Sequence, residues 1–180
     1  MCSSDLPYLI RPIGTAALNI ARIEAGFIMA GADFVPAEQC IRHGRSRSPF
    51  ELGLDWLVDF DKGHFTGRAA LLAERARGSR HRFVRLDVEG NKPALNSFVF
   101  AANQRDVVGT VTSAVWCPTA KCNVALASLD MPHGRPNETL WAEIYYMREL
   151  QWTRVMARAR VLDAPVFDPP RRRQTPAPRF

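Results

Sequence analysis

The segment HRFVRLDVEG, residues 81–90, begins the part of the chain that has a β-strand pattern. Val84, Leu86 and Val88 alternate with bulkier or polar residues, and this alternation places the apolar set on one face of a strand. A Glu-Gly-Asn sequence follows and is a turn signal. One half-buried strand is not stable alone, so further strands are needed to cover its apolar face.

Further strand patterns follow at short spacing as far as residue 168. They are SFVFA (97–101), DVVGTVTSAVW (106–116), CNVALASLD (122–130), TLWAEIYYM (139–147) and WTRVMARARVLDAPVFD (152–168). Turn-forming residues separate them, such as the Pro-His-Gly-Arg-Pro run before the fourth of these patterns. Several short strands at this spacing are typical of a small antiparallel barrel or sandwich. We expect an antiparallel, barrel-like domain.

The chain before residue 80 has a helical character instead. Thr15 is placed to cap a helix over residues 16–25. TGRAALLAERAR, residues 66–77, predicts a second helix that is capped by Thr66 and ended by Gly78. Glu24 stands in the last turn of the first helix, where a carboxylate opposes the helix dipole, and this position requires an explanation.

The remaining N-terminal residues supply too few strands for a complete sheet. Residues 32–50 read as a long loop, and GLDWLVDF, residues 53–60, predicts one short strand. We therefore predict an α+β fold in which residues 1–79 form part of an α+β domain. Residues 80–167 form a small antiparallel β-barrel domain, and residues 168–180 form a tail rich in proline and arginine.

Composition excludes several classes of function. The chain has 180 residues, of which 47% are hydrophobic and 23% charged, as in ordinary globular proteins. Its net charge is +6, but no aromatic residues alternate with the arginine clusters at 42–47, 75–85 and 171–173, so nucleic acid is not an expected partner. No secretory signal or membrane span of about 20 apolar residues is present, which predicts a cytoplasmic protein without membrane association. The cysteines lack zinc-site spacing, so no metal is expected.

Three motifs occur in a recognisable order. ALNIARIEAGF (17–27), LGLDWLVDFDKGHFTGRAAL (52–71) and VVGTVTSAVWCPTAKCNVALASL (107–129) together resemble the C-terminal half of the aminomethyltransferase family. That family includes the glycine-cleavage T protein and folate-dependent demethylases. Its patterns R-L-E-x-G, F-I-G-R-E-A-L and G-x-V-T-S are similar to residues 22–26, 65–71 and 109–113. The resemblance implies that residues 1–79 are the C-terminal part of a folate-binding α+β domain.

The resemblance implies a tetrahydrofolate site that includes Glu24. A carboxylate accepts the ring N–H and the exocyclic NH₂ of a pterin in parallel, which suits a buried acid. Phe27 would form a wall for the flat ring. The alternative is that Glu24 pairs with a nearby arginine such as Arg22. Lys62 lies near a family position whose cation points toward the folate, where it would meet the glutamate carboxylates; the alternative is a solvated loop lysine.

The resemblance also implies the reaction. The parent enzyme would transfer a methyl or methylene unit from a small-molecule methyl or aminomethyl donor to tetrahydrofolate. The family's aspartate near the folate nitrogen belongs to an N-terminal half that is missing here, so no catalytic residue is assigned and the chain alone is expected to be inactive. The alternative is a non-catalytic folate-binding or interaction module, detached from a protein like dimethylglycine or sarcosine dehydrogenase.

The third motif has an expected structural role. Gly109 would allow a tight entry into a strand. Thr112 and Ser113 would satisfy backbone groups where the barrel meets the folate domain. Neither hydroxyl has a histidine and an acid beside it in the sequence, so a nucleophilic serine is not expected.

Overall fold

A computed structural model describes residues 12–42, 46–170 and 174. Most of the predicted proline- and arginine-rich tail therefore lies outside the described residues. Within these ranges the α-helices and strands are α1 (Thr15–Glu24), α2 (Arg68–Arg77), β1 (His81–Val88), β2 (Phe98–Phe100), β3 (Val107–Cys117), β4 (Cys122–Asp130), β5 (Thr139–Arg148) and β6 (Gln151–Leu162). Among these residues, neither helix has the length or the apolar character needed to cross a lipid bilayer.

The six strands close into an antiparallel barrel. Their order around the barrel is β1-β4-β3-β2-β5-β6, so β1 pairs with β4 on one side and β6 on the other. Arg85 faces Leu126 of β4 and Leu162 of β6. Each strand pattern predicted after residue 80 contains a strand of the structure, although the last strand ends at Leu162, and the antiparallel barrel is the fold that they were expected to form.

Two apolar clusters hold the barrel and its covering helix together. The interior is filled by small and branched side chains that alternate along the strands, among them Leu86, Val99 and Leu140. The second cluster lies outside the barrel, where α1 covers β3 and β4. It contains Ile23, Cys117, Val124 and Leu126. This outer cluster positions the end of α1, and therefore the candidate site.

The strand predicted over residues 53–60 is wrong. The structure has a 3-10 turn at Asp55–Leu57 instead, and Trp56 is 75% exposed. The alternation in this segment is imperfect, because Leu57 stands where a polar residue belongs. Gly53 has φ +70°, which bends the chain out of the extended conformation.

The helix boundaries correct two predicted caps. α1 begins at Thr15 with Gly14 as its N-cap, and α2 begins after Gly67, whose φ is 92°. Neither helix has a side-chain cap, so the predicted caps at Thr15 and Thr66 are wrong. The predicted end of α2 at Gly78 is confirmed, with φ 87° and ψ 154°.

Gly78→Ala is expected to lower the free energy of unfolding by about 1–3 kcal/mol, because this backbone region is essentially restricted to glycine. A Cβ at residue 78 would meet no atom within 4 Å, so the cost comes from the backbone alone. Thr66→Ala is the control and should change stability by less than about 0.5 kcal/mol, since it removes no cap. Urea unfolding measures both. A larger loss in Thr66→Ala would show that its hydroxyl does stabilise the helix.

Candidate functional site at the junction of helix α1 and the barrel

Helix α1 ends against the outer face of β3 and β4. Ile23, 1% exposed, packs on the outer cluster and orients the last turn of the helix. Gly26 follows with φ +72°, and a Cβ there would stand 2.4 Å from Nε of Arg85. The glycine therefore serves both a left-handed turn and a close passage over the barrel. As a result, Glu24 is held at the helix–barrel junction.

The Glu24 side chain is buried against a hairpin of the barrel. Glu24 is 7% exposed. Its Oε1 accepts a hydrogen bond from the Cys117 thiol at 2.9 Å, and Oε2 lies 3.5 Å from the Thr119 hydroxyl oxygen. Its backbone carbonyl accepts the Phe167 N–H at 3.2 Å. Among the described residues, the carboxylate therefore has one well-formed hydrogen bond on Oε1 and a long contact on Oε2.

The thiol that meets Glu24 stays protonated near neutral pH. Burial, together with the hydrogen bond to the Glu24 carboxylate, raises the pKa of Cys117 to about 11. A thiolate there would be desolvated and would face a carboxylate. Cys117 is therefore a hydrogen-bond donor to Glu24 over the ordinary pH range.

A second buried acid, Asp33, joins α1 to β3. Its side chain is fully buried and pairs with Arg22, whose Nη1 lies 2.5 Å from Oδ2. Oδ2 also accepts the Met29 N–H at 2.8 Å. Oδ1 accepts the hydroxyls of Thr112 at 2.8 Å and Ser113 at 2.6 Å. Each carboxylate oxygen thus accepts two hydrogen bonds. These bonds and the ion pair with Arg22 compensate for the burial of the negative charge.

The structure decides between some of the sequence interpretations. Arg22 pairs with Asp33, so the Arg22–Glu24 pair is not formed. Phe27 lies three residues beyond Glu24 and is 54% exposed. Lys62 is exposed, with Nζ 4.5 Å from the centre of the Phe65 ring, and no hydrogen bond or ion pair joins it to Glu24 in the described residues. Glu24 and Phe27 therefore share the end of α1, whereas Lys62 belongs to another loop.

The third motif makes more contacts than expected. The Thr112 hydroxyl donates to the Asp33 carboxylate and lies 3.2 Å from the Leu126 carbonyl oxygen, and Ser113 also contacts Asp33 and Arg22. From the sequence we expect these hydroxyls to form hydrogen bonds with backbone groups, whereas most of their contacts are with side chains. Sequence reasoning missed Asp33, and the available signal was Arg22, an arginine in an otherwise apolar helical run that requires a carboxylate partner.

The comparisons with known proteins agree on one family. Residues 81–168 match the family described as "Glycine cleavage T-protein C-terminal barrel domain". The aminomethyltransferase of Caldanaerobacter subterraneus subsp. tengcongensis is 33% identical over 71% of this chain and 32% of the relative. That of a Nostoc species is 32% identical over 74% of this chain and 33% of the relative. The chain thus spans about a third of the length of these relatives.

A solved structure has the same fold. The crystal structure of glycine cleavage system aminomethyltransferase T from Bartonella henselae matches with a TM-score of 0.69 at 23% identity. The match covers 86% of this chain and 39% of that protein. From the family match we conclude that residues 81–168 form a glycine cleavage T-protein C-terminal barrel domain, in a chain that is similar to aminomethyltransferases.

Proposed function

We propose that this chain is the tetrahydrofolate-contacting C-terminal part of an enzyme that transfers a one-carbon unit to tetrahydrofolate. The observation that carries the proposal is Glu24, a carboxylate 7% exposed that keeps acceptor capacity on Oε2. Its donor would be a small molecule with a methyl or aminomethyl group. The relatives are named aminomethyltransferases, and this favours a transferase over a non-catalytic module.

The geometry of Glu24 suits a pterin. Each carboxylate oxygen has two lone pairs, and the Cys117 thiol uses one on Oε1. A 2-amino-4-oxopteridine presents two adjacent N–H donors, and a carboxylate accepts both in a charge-assisted bidentate contact. The thiol fixes the orientation of the carboxylate before the ligand arrives, which reduces the entropy lost on binding.

Phe27 and Lys62 are the proposed secondary contacts. Phe27, 54% exposed beside the end of α1, offers an apolar face for one side of the pterin ring. Lys62 lies on an exposed loop, and its ammonium group is proposed to meet the glutamate carboxylates at the other end of the folate. Because Lys62 now stacks on Phe65, this contact requires a change of its side-chain rotamer.

The residues before the barrel are proposed to belong to a folate-binding domain that this chain contains only in part. Several of their apolar side chains are exposed: Ile13 66%, Leu18 57%, Phe27 54%, Met29 48%, Trp56 75% and Leu57 59%. An interface with another domain would remove such side chains from water. We propose that the N-terminal portion of the aminomethyltransferase fold covers them and supplies the catalytic aspartate.

Glu24→Gln is expected to weaken tetrahydrofolate binding by roughly 30- to 1000-fold, or about 2–4 kcal/mol. The amide keeps the size and an acceptor for the Cys117 thiol but turns an NH₂ toward a ligand donor. The unfolding temperature should change little for the same reason. Calorimetric titration of tetrahydrofolate, into the chain alone and into the chain purified with the N-terminal portion of an aminomethyltransferase relative, measures the affinity.

The control is Glu38→Gln, which makes the same chemical change at an exposed glutamate. It should leave the affinity unchanged. Equal affinity of Glu24→Gln and the unaltered protein would refute the role of Glu24. A failure of both unaltered preparations to bind tetrahydrofolate would refute the proposed function itself.

A further inference from the structure

A cleft of about 500 Å³ opens at the end of the barrel where the β3–β4 hairpin meets β1 and β6. We call it the cationic cleft, and its principal lining residues are Asp87, Trp116, Lys121, Cys122, Arg158 and Arg160. It lies behind the hairpin that holds Glu24. Nothing in the proposed folate site uses it.

The charges of the cleft favour an anion. Three cations line it against two carboxylates, those of Asp87 and Glu89. Asp87 is already paired with Arg160, whose Nη2 lies 3.2 Å from Oδ2. The exposed side chains of Lys121 and Arg158 form no ion pair within the described residues. A concave surface lined by such cations raises the local concentration of anionic molecules.

Cys122 lines this cleft and has a second thiol directly behind it. Cys117 and Cys122 are opposite each other in the β3–β4 register, and both are free thiols. Directly opposite residues of antiparallel strands have Cα atoms about 4.5–5.5 Å apart, which lies within the range of disulfides. Side chains of directly opposite residues lie on the same face of the hairpin, so the two thiols are neighbours. Cys117 is fully buried, whereas Cys122 is half-buried.

We propose that Cys122 is a thiol-modification site for small anionic disulfides, and that Cys117 then resolves the adduct to an internal Cys117–Cys122 disulfide. The anionic reagent is attracted by Lys121 and Arg158. Trp116, 40% exposed, supplies an apolar wall against which the reagent packs.

The reaction balances without any other reactant. The Cys122 sulfur attacks one sulfur of the small disulfide, the S–S bond breaks, and the departing thiolate takes up the proton that Cys122 lost. The Cys117 sulfur then attacks the Cys122 sulfur of the mixed disulfide and releases a second small thiol. The Cys117 proton passes to Oε1 of Glu24, 2.9 Å away, and from there to the departing thiolate. Two protein thiols are oxidised and one small disulfide is reduced to two thiols.

The order of attack follows from exposure. Burial raises the pKa of both thiols, and Cys117 is the more deeply buried. Only Cys122 is reached from the cleft, so it reacts first and slowly, and the cations compensate by concentrating the reagent. Cys117 reacts only after Cys122, its partner in the β3–β4 register, presents an activated sulfur. The finished disulfide removes the thiol donor from Glu24.

The test uses the full chain with Cys2→Ser and Cys40→Ser, treated with glutathione disulfide and followed by mass spectrometry. We expect the loss of two hydrogen atoms, with a peptide map that joins residues 117 and 122. With Cys117→Ser added, we expect one stable glutathione adduct on Cys122. An adduct that persists when Cys117 is present, or a protein that does not react, would overturn the proposal. The measurement with both cysteines present does not depend on the folding of the Cys117→Ser variant.

The charge preference is tested with two aromatic disulfides, anionic dithiobis(nitrobenzoate) and neutral dithiodipyridine. The double variant Lys121→Ala/Arg158→Ala should react roughly tenfold more slowly with the anionic reagent and unchanged with the neutral one. Arg105→Ala, which removes an exposed cation from the β2–β3 turn, is the control and should behave as the parent. An equal effect on both reagents, or none on either, would refute the role of the cleft.

The link to Glu24 rests on the proposed function. Oxidised chain, prepared as above, should bind tetrahydrofolate several-fold more weakly than reduced chain, because Glu24 has lost the donor that orients it. Equal affinity of the two forms would refute the link. Disulfide formation is read by mass, without folate, so failure of the proposed function is distinguishable from failure of this inference.

Discussion

Gly109→Ala should cost more than about 4 kcal/mol of unfolding free energy and leave little folded barrel, which places it among the most severe single substitutions. A Cβ at residue 109 would stand 2.3 Å from the Ser128 carbonyl oxygen and 2.8 Å from Cα of Leu129. Both are backbone atoms of β4, so no side-chain rotamer relieves the overlap. Separating the strands would break the β3–β4 ladder in which Gly109 faces Leu129.

Circular dichroism during thermal unfolding measures this effect. The control is Gly14→Ala, where an added Cβ meets no atom within 4 Å and φ is −76°. Its cost should stay below about 1 kcal/mol, the difference between glycine and alanine at a helix N-cap. A Gly109→Ala protein as stable as Gly14→Ala would show that β3 and β4 can separate without loss of the barrel.

The second large effect is expected at Asp33. Asp33→Asn should lower stability by about 3–5 kcal/mol, because it leaves the Arg22 guanidinium without its counter-charge in a site where the Arg22 side chain is only 12% exposed. It also puts an NH₂ group among donors, since the Thr112 and Ser113 hydroxyls both point at this carboxylate. Chemical denaturation of the single and double variants of Arg22 and Asp33 measures the coupling energy between the two side chains.

The double variant Arg22→Met/Asp33→Asn makes the test specific. It removes the unpaired charge, so it should be more stable than Asp33→Asn alone. Asp59→Asn, at an exposed aspartate, is the matched control and should change stability by less than about 0.5 kcal/mol. If the single and double variants were equally unstable, the loss would come from the hydroxyl contacts and not from the ion pair.

The strands were predictable because a half-buried strand places apolar side chains at every second residue. Alternation around Val84 and Leu86 marks β1, and the structure buries both side chains in the barrel. The end of α2 was predictable for an equally local reason, since Gly78 adopts a conformation that other residues avoid. The family resemblance supplied Glu24 as a candidate, and its role in binding pterin stays a prediction.

The network at Asp33 could not be predicted from local pattern. Asp33 meets Thr112 and Ser113, about eighty positions further along the chain, and no periodicity carries that pairing. The predicted caps are wrong because the helices begin at other positions than the threonines indicate. The N-cap residues are Gly14 and Gly67, so neither threonine occupies the N-cap position. The contact between the Cys117 thiol and Glu24 could not be predicted from the sequence either. It depends on how α1 packs on the barrel, and no local pattern records that packing.

The pairing of β1 with β6 has a consequence for biosynthesis. β1 ends at Val88, whereas β6 begins only at Gln151, so a ribosome releases the first strand long before its last partner exists. During that interval one edge of β1 carries unpaired backbone groups, and its closure depends on a contact of large sequence separation, which forms slowly. The β6 segment of a neighbouring nascent chain could pair with this open edge of β1. Strand exchange between neighbouring chains is therefore the misassembly to expect for this barrel during crowded translation.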